Sequence, residues 1–473
     1  MSKKADLQEE MFSQVKERDL FEQAKDYAFA YMDSVYGRNV APTDEAVKAL
    51  SIFDEPFPAK AGNGAEILRL LHEAGSPATV AQTGGRYFGF VNGSSTPTAL
   101  AAKWLADVWD QNAALYVMSP LVAQLESVCE KWVVDLLGLP EGTAAGFVGG
   151  TTTANLSALA AARNELLKRQ GWDVFSEGLA GAPLIRVFLG AQAHASVYKA
   201  LALLGLGKAH FEIVPVDEQG RMLADKLPEL DSRCLVIAQA GNVSTGAFDP
   251  FEAICEKARR ANAWVHIDGA FGLWAAGSKT KNYLTRGIEK ADSWSADAHK
   301  TLNVPYDCGI VLCKVREALV NTMSATASYL GYSDKRDGML YAPDMSRRGR
   351  AVELWATLKY LGREGVQDLV DRLCEHARGF AGKLEARGFR ILNEVVFNQV
   401  LVACDTPQLT QATLENIQRS GECWLGGAAW NNEPVMRISV CSWATTAEDV
   451  ERSVAAFVEA RNKASQPATV RPS

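Results

Sequence analysis

The sequence predicts an α/β protein with a mainly parallel β-sheet, followed by a smaller α+β domain. Strand-like apolar runs alternate with helical runs between residues 76 and 345, a pattern typical of a parallel sheet covered by helices on both faces. Residues whose side chains could bind a ligand or take part in catalysis follow several of these strands, at Thr151, His194, Asp268 and Lys300. Because ligands bind beyond the carboxyl ends of such strands, these residues predict one site at one sheet edge.

The first 75 residues are predicted to form an N-terminal helical arm. Apolar and aromatic side chains recur there at helical spacing, at Phe21, Ala24, Tyr27, Ala28 and Tyr31. Pro and Gly residues between Pro56 and Gly64 interrupt the pattern. An arm that docks a partner and an outer layer packed on the same chain both fit this pattern.

Residues 76–345 are predicted to form the large domain. Its strands are expected at 146–148, 184–189, 234–238, 264–267, 293–296 and 309–313. Helices are expected after the first three strands, at 155–167, 196–204 and 250–261.

Residues 346–473 are predicted to form the small C-terminal domain. Helices are expected at 353–361, 366–387 and 448–461, and strands at 390–392, 400–403 and 436–440. The final segment, 463–473, is expected to be a frayed tail.

Charge and composition exclude some partners. The 473 residues carry a net charge of −7, which argues against nucleic acid or an anionic membrane as the main partner. The charged N-terminus has no apolar core of a signal peptide. The nine cysteines form no C-x-x-C pair and the six histidines show no metal-ligand spacing. We therefore expect a cytoplasmic protein without disulfides, a metal site or a membrane span.

Lys300 and Asp268 are the most informative pair in the chain. Lys300 ends the segment Ser-Trp-Ser-Ala-Asp-Ala-His-Lys, and Asp268 ends the strand-like segment Trp-Val-His-Ile-Asp. Pyridoxal 5'-phosphate enzymes need an amine that carries the cofactor aldehyde and a carboxylate that keeps the pyridine ring protonated. Either residue alone is more often a surface cation or a turn residue, so the prediction rests on several such segments occurring together.

Two further segments fit the same cofactor. Gly149-Gly150-Thr151-Thr152 opens a helix, where free backbone N–H groups and hydroxyls can bind a phosphate; an ordinary helix cap is the alternative. His194 lies between a strand and a helix, where a flat ring could stack on the pyridine, and Ala270 would leave room on the opposite face. A capping or core histidine is the alternative for His194.

Five segments together resemble the group II pyridoxal-phosphate-dependent decarboxylases, which include aromatic amino acid, glutamate, histidine and tyrosine decarboxylases. They lie in family order between about Gly84 and Gly362: GGTTTANLSALAAAR, HASVYKA, WVHIDGAFG, SADAHKTLNVPYDCG and MSRRGRAVELWATLKYLG. The resemblance implies fold type I, the aspartate-aminotransferase-like fold, and a homodimer with sites at the interface.

The resemblance also implies residue roles. Lys300 would form the Schiff base, Asp268 would pair with the pyridine nitrogen, and His194 would stack on the ring and assist catalysis. Thr151, Thr152 and His299 would hold the phosphate. A hydroxyl near the phenolic oxygen or the substrate carboxylate would come from Thr245 or its neighbour Ser244. Phe90 and Asn92 lie in a segment that resembles the family's substrate side, and Arg86 nearby could bind a distal carboxylate.

The chain departs from the family pattern at two places. Most members have Asn-Pro-His-Lys where this chain has Asp297-Ala298-His299-Lys300, and an Asp followed by a non-proline residue also occurs in the sphingosine-phosphate lyase branch. The mobile catalytic loop, about 324–344, is short. Tyr341 is the first candidate for its general acid, which the other subunit often supplies. Tyr329 and Tyr332 are alternatives, and Tyr341 could instead be a packing residue.

The predicted reaction is α-decarboxylation of an L-amino acid, with an aromatic side chain weakly favoured, to give an amine and CO2. A carbon–carbon lyase of the sphingosine-phosphate lyase type is the first alternative. Oxidative deamination to an aldehyde is a variant, should the loop lack its acid. A non-catalytic binding protein with the same fold is the third alternative, although the presence of Lys300, Asp268 and His194 argues against it.

Overall fold

The computed structural model describes residues 7–325 and 334–466. The chain begins with helices that precede the large sheet. They are α1 (Leu7–Glu17), α2 (Asp19–Ser34), α3 (Asp44–Ala49), α4 (Gly64–Leu70), α5 (Pro97–Trp109) and α6 (Pro120–Leu136). Side-chain caps explain several starts: Thr43, Asn63 and Ser119 accept backbone N–H groups at the N-termini of α3, α4 and α6.

Strands and helices then alternate as the sequence predicts. The elements are β1 (Ala144–Val148), α7 (Thr151–Lys168), α8 (Val174–Glu177), β2 (Arg186–Gly190), α9 (Ala195–Leu203), β3 (Phe211–Val214), β4 (Cys234–Gln239), α10 (Phe251–Arg260), β5 (Trp264–Asp268), β6 (Ser293–Asp297), β7 (Gly309–Cys313) and α11 (Arg316–Met323). The strand β3 was not predicted, because it is only four residues long, Phe-Glu-Ile-Val, and includes a charged residue.

The seven strands form one sheet in the order β1-β7-β6-β5-β4-β2-β3. Strand β7 runs antiparallel to both of its neighbours, and the other pairs are parallel. Every residue of β1, β5, β6 and β7 is buried, as expected for strands covered on both faces. The prediction of a mainly parallel sheet is confirmed.

The loops that contain the candidate site residues lie at one edge of this sheet. Strands β1, β5 and β6 all end there, at Val148, Asp268 and Asp297. Because β7 runs the other way, its first residue, Gly309, pairs with both Val148 and Asp297. A Cβ atom on Gly309 would lie 2.5 Å from the Gly150 backbone, so only glycine permits this close approach.

The C-terminal part contains α12 (Ala351–Glu385), β8 (Arg390–Ile391), β9 (Gln399–Ala403), α13 (Pro407–Ser420), β10 (Gly426–Trp430), β11 (Glu433–Ser439) and α14 (Ala447–Ser465). The four strands form an antiparallel sheet in the order β10-β11-β9-β8. The two helices predicted at 353–361 and 366–387 correspond to α12, which is broken at Gly362 (φ 60°, ψ −173°). Strand β10 was not predicted, since Gly-Gly-Ala-Ala has little strand character. Helix α13 was not predicted either.

A short segment ahead of α5 packs on the C-terminal sheet. The Phe88 amide donates to the Trp424 carbonyl, and the Ser439 amide donates to the Phe88 carbonyl. Phe88 is fully buried in the core beneath that sheet. These contacts place Phe90 and Asn92 between the C-terminal sheet and the loop that contains Lys300. None of the helices within residues 7–325 and 334–466 combines the length and hydropathy of a bilayer span.

Candidate active site

Lys300 follows the end of β6 and is partly buried, with 19% of its side chain exposed. Its Nζ atom lies 3.1 Å from the Asp297 Oδ2 atom. The backbone on either side is held firmly, because the Gly93 amide donates to the His299 carbonyl and the Asn303 amide donates to the Lys300 carbonyl. The amine therefore lies at the predicted sheet edge.

Asp268 ends the neighbouring strand β5 and is only 3% exposed. Its carboxylate accepts hydrogen bonds from the Asn155 side-chain amide and the Ala270 backbone amide, both at 3.3 Å. Burial raises the pKa of the Asp268 carboxyl, and the nearby His194 and Lys300 oppose that rise. A cationic partner such as a protonated pyridine would stabilise the ionised form.

A polar network behind Asp268 was missed by the sequence analysis. Asn155 Oδ1 accepts from Ser295 Oγ at 2.6 Å and lies 2.9 Å from His266 Nε2. Burial lowers the pKa of His266 to about 3, so its ring is neutral. The only available signal was spacing: His266 lies two residues before Asp268 on one strand, so both point to the same face.

His194 is the N-terminal cap of α9. Its Nδ1 atom accepts the Ser196 amide at 3.2 Å and lies 2.8 Å from Ser196 Oγ. The residue is exposed, yet surrounding protein atoms partly desolvate the ring and lower the pKa of His194. His194 and Asp268 line the same narrow cavity. The capping interpretation is thus correct, and it leaves a ring face available to a ligand.

The start of α7 supplies the best match to a phosphate site. Thr151 is buried, and its Oγ1 atom has no hydrogen-bond partner among the described residues. A buried hydroxyl without a partner is unusual and indicates a missing ligand or water. Its place at a helix N-terminus suits an anion. Thr152, by contrast, is exposed.

His299 is buried against the same edge. Its Nδ1 atom accepts the Cys308 amide at 3.0 Å, and its ring stacks on Tyr306 with the centroids 4.3 Å apart. Since Nδ1 is an acceptor, the ring proton is on Nε2, which lies 3.5 Å from Asp297 Oδ2. The His299 Nε2–H group therefore faces Asp297, and the ring lies close to Gly150, which directly precedes Thr151.

The Thr245 hydroxyl is already engaged by protein atoms. It donates to the Gln219 carbonyl at 2.6 Å and accepts the Ala247 amide at 3.2 Å, and the residue is fully buried. Its neighbour Ser244 is 8% exposed.

Phe90 and Asn92 lie at the mouth of the site. The Asn92 Oδ1 atom accepts the Tyr306 hydroxyl at 3.0 Å. The Phe90 ring is 59% exposed and its centroid lies 5.5 Å from that of Trp424. Tyr306 and Trp424 are two wall residues that the sequence analysis did not identify, because nothing in their local pattern distinguishes them from core aromatics.

The structure changes which arginine is the candidate for binding a substrate carboxylate. Arg86 is 3% exposed and forms ion pairs with Glu422 at 3.0 Å and Asp449 at 3.6 Å, so it is a structural residue. Arg437, on β11, was not considered. Its Nε atom is buried without a hydrogen bond among the described residues, and its charge lowers the pKa of His194. Arg437, like Lys300, thus places a positive charge close to His194.

Tyr341 is not brought near Lys300 of the same chain. Its hydroxyl accepts from Arg316 at 3.0 Å, and Arg336 lies over its ring at 3.9 Å from the centroid. Arg316 follows the end of β7 that is opposite to the end beside Asp297. The alternatives Tyr329 and Tyr332 lie outside the described residues.

This geometry agrees with comparisons to known proteins. The profile of the pyridoxal-dependent decarboxylase conserved domain matches residues 53–403, more than half of the chain. The chain belongs to the pyridoxal-dependent decarboxylase family. Its cofactor is pyridoxal 5'-phosphate, as predicted, and the residues at the sheet edge fit that group: an amine, a buried carboxylate and a buried hydroxyl that has no partner in the described part of the chain.

Curated relatives within the family act on different amino acids. Mouse acidic amino acid decarboxylase GADL1 is 30% identical over 66% of this chain and 59% of its own length. The Bacillus atrophaeus aromatic-L-amino-acid decarboxylase is 25% identical over 92% of this chain and 93% of its own length. The chain spans 59% to 62% of the length of the mouse, human and cattle GADL1 proteins.

Solved decarboxylase structures share the fold. Oryza sativa TDC with PLP and tryptamine has a TM-score of 0.88 at 20% identity, covering 95% of this chain and 98% of that one. Mouse CSAD has a TM-score of 0.85 at 22% identity, covering 95% and 98%. The predicted type I fold is confirmed.

Proposed function

We propose that the protein is a pyridoxal-phosphate-dependent decarboxylase that removes the α-carboxylate of an L-amino acid as CO2 and leaves an amine. The supporting observation is the convergence of the Lys300 amine, the buried Asp268 carboxylate and the Thr151 hydroxyl at one sheet edge. That hydroxyl is buried and has no hydrogen bond within residues 7–325 and 334–466. The family membership and the named activities of the relatives agree with this reaction class.

Each group at the edge has a role in holding the cofactor. Lys300 binds the aldehyde covalently, and Asp268 pairs with the ring nitrogen. His194 covers one ring face, and Ala270 leaves space on the other. When bound, the cofactor withdraws electrons from the substrate carbon that loses CO2.

The phosphate is held at the start of α7. The Thr151 hydroxyl and the His299 Nε2–H group donate to it, and the exposed Thr152 hydroxyl adds a donor from the solvent side. Thr245 acts in this proposal by shaping the loop beside the ring, since both hydrogen-bonding directions of its hydroxyl are in use.

The substrate lies on the side of Phe90 and Asn92. Arg437 supplies the positive charge that attracts a carboxylate, and Phe90 with Trp424 forms an apolar wall that favours a bulky or aromatic side chain. Asn92 is held by Tyr306, which orients its amide. The general acid is proposed to be Tyr341 of the other subunit, with Tyr329 and Tyr332 as alternatives.

A homodimer is proposed because the N-terminal helices expose a large apolar surface. Leu7, Met11, Phe12 and Val15 on α1 are 54% to 68% exposed. Helix α5 exposes four more large side chains, Trp104, Leu105, Val108 and Trp109. Exposed patches of this kind mark association surfaces.

A cytoplasmic location is also proposed, supported by nine buried free thiols.

Carbon–carbon cleavage of the sphingosine-phosphate lyase type is the second candidate reaction, favoured by Asp297 in place of the family's Asn.

Oxidative deamination to an aldehyde is the third candidate reaction. Rhodiola rosea 4-hydroxyphenylacetaldehyde synthase, with a TM-score of 0.84 at 20% identity over 97% of this chain and 99% of that one, shows the same fold.

One experiment separates these reactions. The purified protein, loaded with cofactor, is incubated with acidic, aromatic and β-hydroxy amino acids and with a phosphorylated long-chain amino alcohol. Amine and CO2 in equal amounts support decarboxylation. Aldehyde without CO2 from a β-hydroxy amine supports the lyase, and aldehyde with CO2 and ammonia supports oxidative deamination. Cofactor binding without any turnover would favour a binding protein.

A further inference from the structure

Arg350 lies beside the loop that leads into α7, and one of its nitrogen atoms has no acceptor. A Cβ atom on Gly149 would lie 3.7 Å from Arg350 Nη2, so the guanidinium borders the loop of Gly149 and Gly150. The Arg350 Nη1 atom is buried and has no hydrogen bond within residues 7–325 and 334–466. Since a buried donor without an acceptor is unusual, this atom indicates an acceptor that those residues do not supply.

Ion pairing with Asp307 accounts for only part of the Arg350 side chain. Arg350 donates through Nε to Asp307 Oδ1 and through Nη2 to Asp307 Oδ2, both at 3.2 Å. This fork uses two of the three guanidinium nitrogen atoms and leaves the hydrogens of Nη1 over. Arg350 can therefore hold Asp307 and bind a second anion at the same time.

The neighbouring arginine shows how a fully paired guanidinium is arranged at this place. Arg348 donates to the side chain and the carbonyl of Asp307 through Nε and Nη2, and to Glu353 through Nη1. It thus has two carboxylate partners, Asp307 and Glu353. In the described part of the chain, Arg350 pairs only with the shared Asp307. Positive charge is therefore left over on the side of Arg350.

The start of α7 presents a second donor that has no acceptor. No side chain among the described residues caps α7 at Gly150, and the buried Thr151 Oγ1 atom has no hydrogen bond to them either. The first N–H groups of a helix are unsatisfied and attract an anion. The Arg350 guanidinium and the Thr151 hydroxyl reach this loop from different elements, so the same missing anion explains both.

We propose that Arg350 binds the phosphate of the cofactor through Nη1 and supplies the positive charge that this group needs when it leaves water. The inference rests on the proposed place of the phosphate at the start of α7. Charge-assisted hydrogen bonds are the strong ones for phosphate, and a planar guanidinium matches the spacing of phosphate oxygens. Because Arg350 directly precedes α12, the phosphate would join α12 to α7.

The test separates the phosphate from the rest of the cofactor. Dissociation constants for pyridoxal 5'-phosphate and for pyridoxal, which lacks the phosphate, are measured by equilibrium dialysis with the wild type and with Arg350→Gln. The variant should bind pyridoxal 5'-phosphate about 10- to 100-fold more weakly and bind pyridoxal nearly as the wild type does. Equal losses for the two ligands, or no loss for either, would overturn the proposal.

Inorganic phosphate provides a readout that requires no covalent bond to Lys300. Added to the cofactor-free wild type at constant ionic strength, it should raise the melting temperature, because a ligand that binds only the folded state stabilises that state. Arg350→Gln should lose most of this rise. Arg350→Lys, which keeps the charge but not the fork, should fall between the two and is the variant to use if Arg350→Gln folds poorly. A rise of wild-type size in both variants would contradict the role of Arg350.

Two further variants keep this proposal separate from the proposed place of the phosphate. Arg348→Gln also removes a partner of Asp307, and it should leave the ratio of the two dissociation constants at the wild-type value. Thr151→Val removes the hydroxyl at the start of α7 and should weaken the binding of pyridoxal 5'-phosphate alone. A phosphate-specific loss in Thr151→Val but not in Arg350→Gln would overturn the role of Arg350. No phosphate-specific loss in either variant would overturn the place of the phosphate.

Discussion

The His266 Nε2 atom lies 2.9 Å from the Asn155 Oδ1 atom, and this contact fixes the amide that holds Asp268. Because His266 and Ser295 both donate to the same oxygen, the Asn155 NH2 group must point the other way, toward the Asp268 carboxylate. The Asp268 carboxylate, the proposed partner of the ring nitrogen, is thus oriented through Asn155 by a neutral histidine.

Asn155→Ala should lower both stability and cofactor affinity. It leaves the buried donors of His266 and Ser295 without an acceptor, and each unsatisfied group costs about 1–3 kcal/mol. Urea unfolding of the cofactor-free protein measures the loss. Asn164→Ala on the same helix, where the amide is only partly buried, is the control and should lose clearly less. Equal losses in the two variants would contradict the network.

The low pKa of His266 should appear in the pH dependence of stability. The ring stays neutral in the folded protein down to about pH 3, whereas in the unfolded chain it gains a proton near its ordinary pKa of about 6.5. Stability should therefore fall as pH drops below about 6.5, by up to ~1.4 kcal/mol per unit. His266→Gln should remove this slope. Buried Asp249, whose pKa is raised to about 6, contributes with the opposite sign in both proteins, so the difference isolates His266.

Asp268→Asn should weaken cofactor binding and reduce turnover. The substitution keeps the shape but removes the negative charge opposite the ring nitrogen, and a charge-assisted hydrogen bond is worth about 1.5–3 kcal/mol. Cofactor affinity should fall about 10- to 100-fold, with a larger loss in turnover. Near-normal turnover of this variant at saturating cofactor would remove Asp268 from the mechanism.

Lys300 should carry the cofactor as a covalent adduct. The purified protein is expected to be yellow, and borohydride reduction should attach the label to the peptide containing Lys300. Lys300→Ala should lose the label, whereas Lys281→Ala, which removes a buried lysine bonded to the Val396 carbonyl, should keep it. A label on another lysine would contradict the assignment.

Tyr341→Phe should preserve cofactor binding, lower amine formation and raise the aldehyde and ammonia products, because loss of the acid leaves the substrate carbon open to oxygen. Product analysis beside Tyr329→Phe and Tyr332→Phe locates the acid. Unchanged amine yield, with only the ~1 kcal/mol loss of stability expected from the Arg316 hydrogen bond, would make Tyr341 a packing residue.

Much of the large sheet was predictable from local sequence. The strands before α7, α9 and α10 are short apolar runs that end in small or polar residues, and this pattern depends on neighbouring residues alone. The glycines and threonine at the start of α7, and Asp268 and Lys300 at strand ends, were visible for the same reason. The break at Gly362 was anticipated as well, by the separate helices expected at 353–361 and 366–387. Strand β10 was harder, because weakly patterned segments are decided by packing.

By itself, the sequence determined the fold class and the cofactor, since alternating periodicity and a few ordered motifs are properties of the chain. Only the tertiary structure decided which side chains meet. Arg86 is no longer a candidate for the substrate carboxylate, because it is buried in ion pairs with Glu422 and Asp449. Arg437 is proposed instead, because its Nε atom is buried without a hydrogen bond among the described residues. Asn155, His266 and Asp268 form one network across α7 and β5. Such contacts depend on distances between residues that are remote in the chain, which local patterns do not encode.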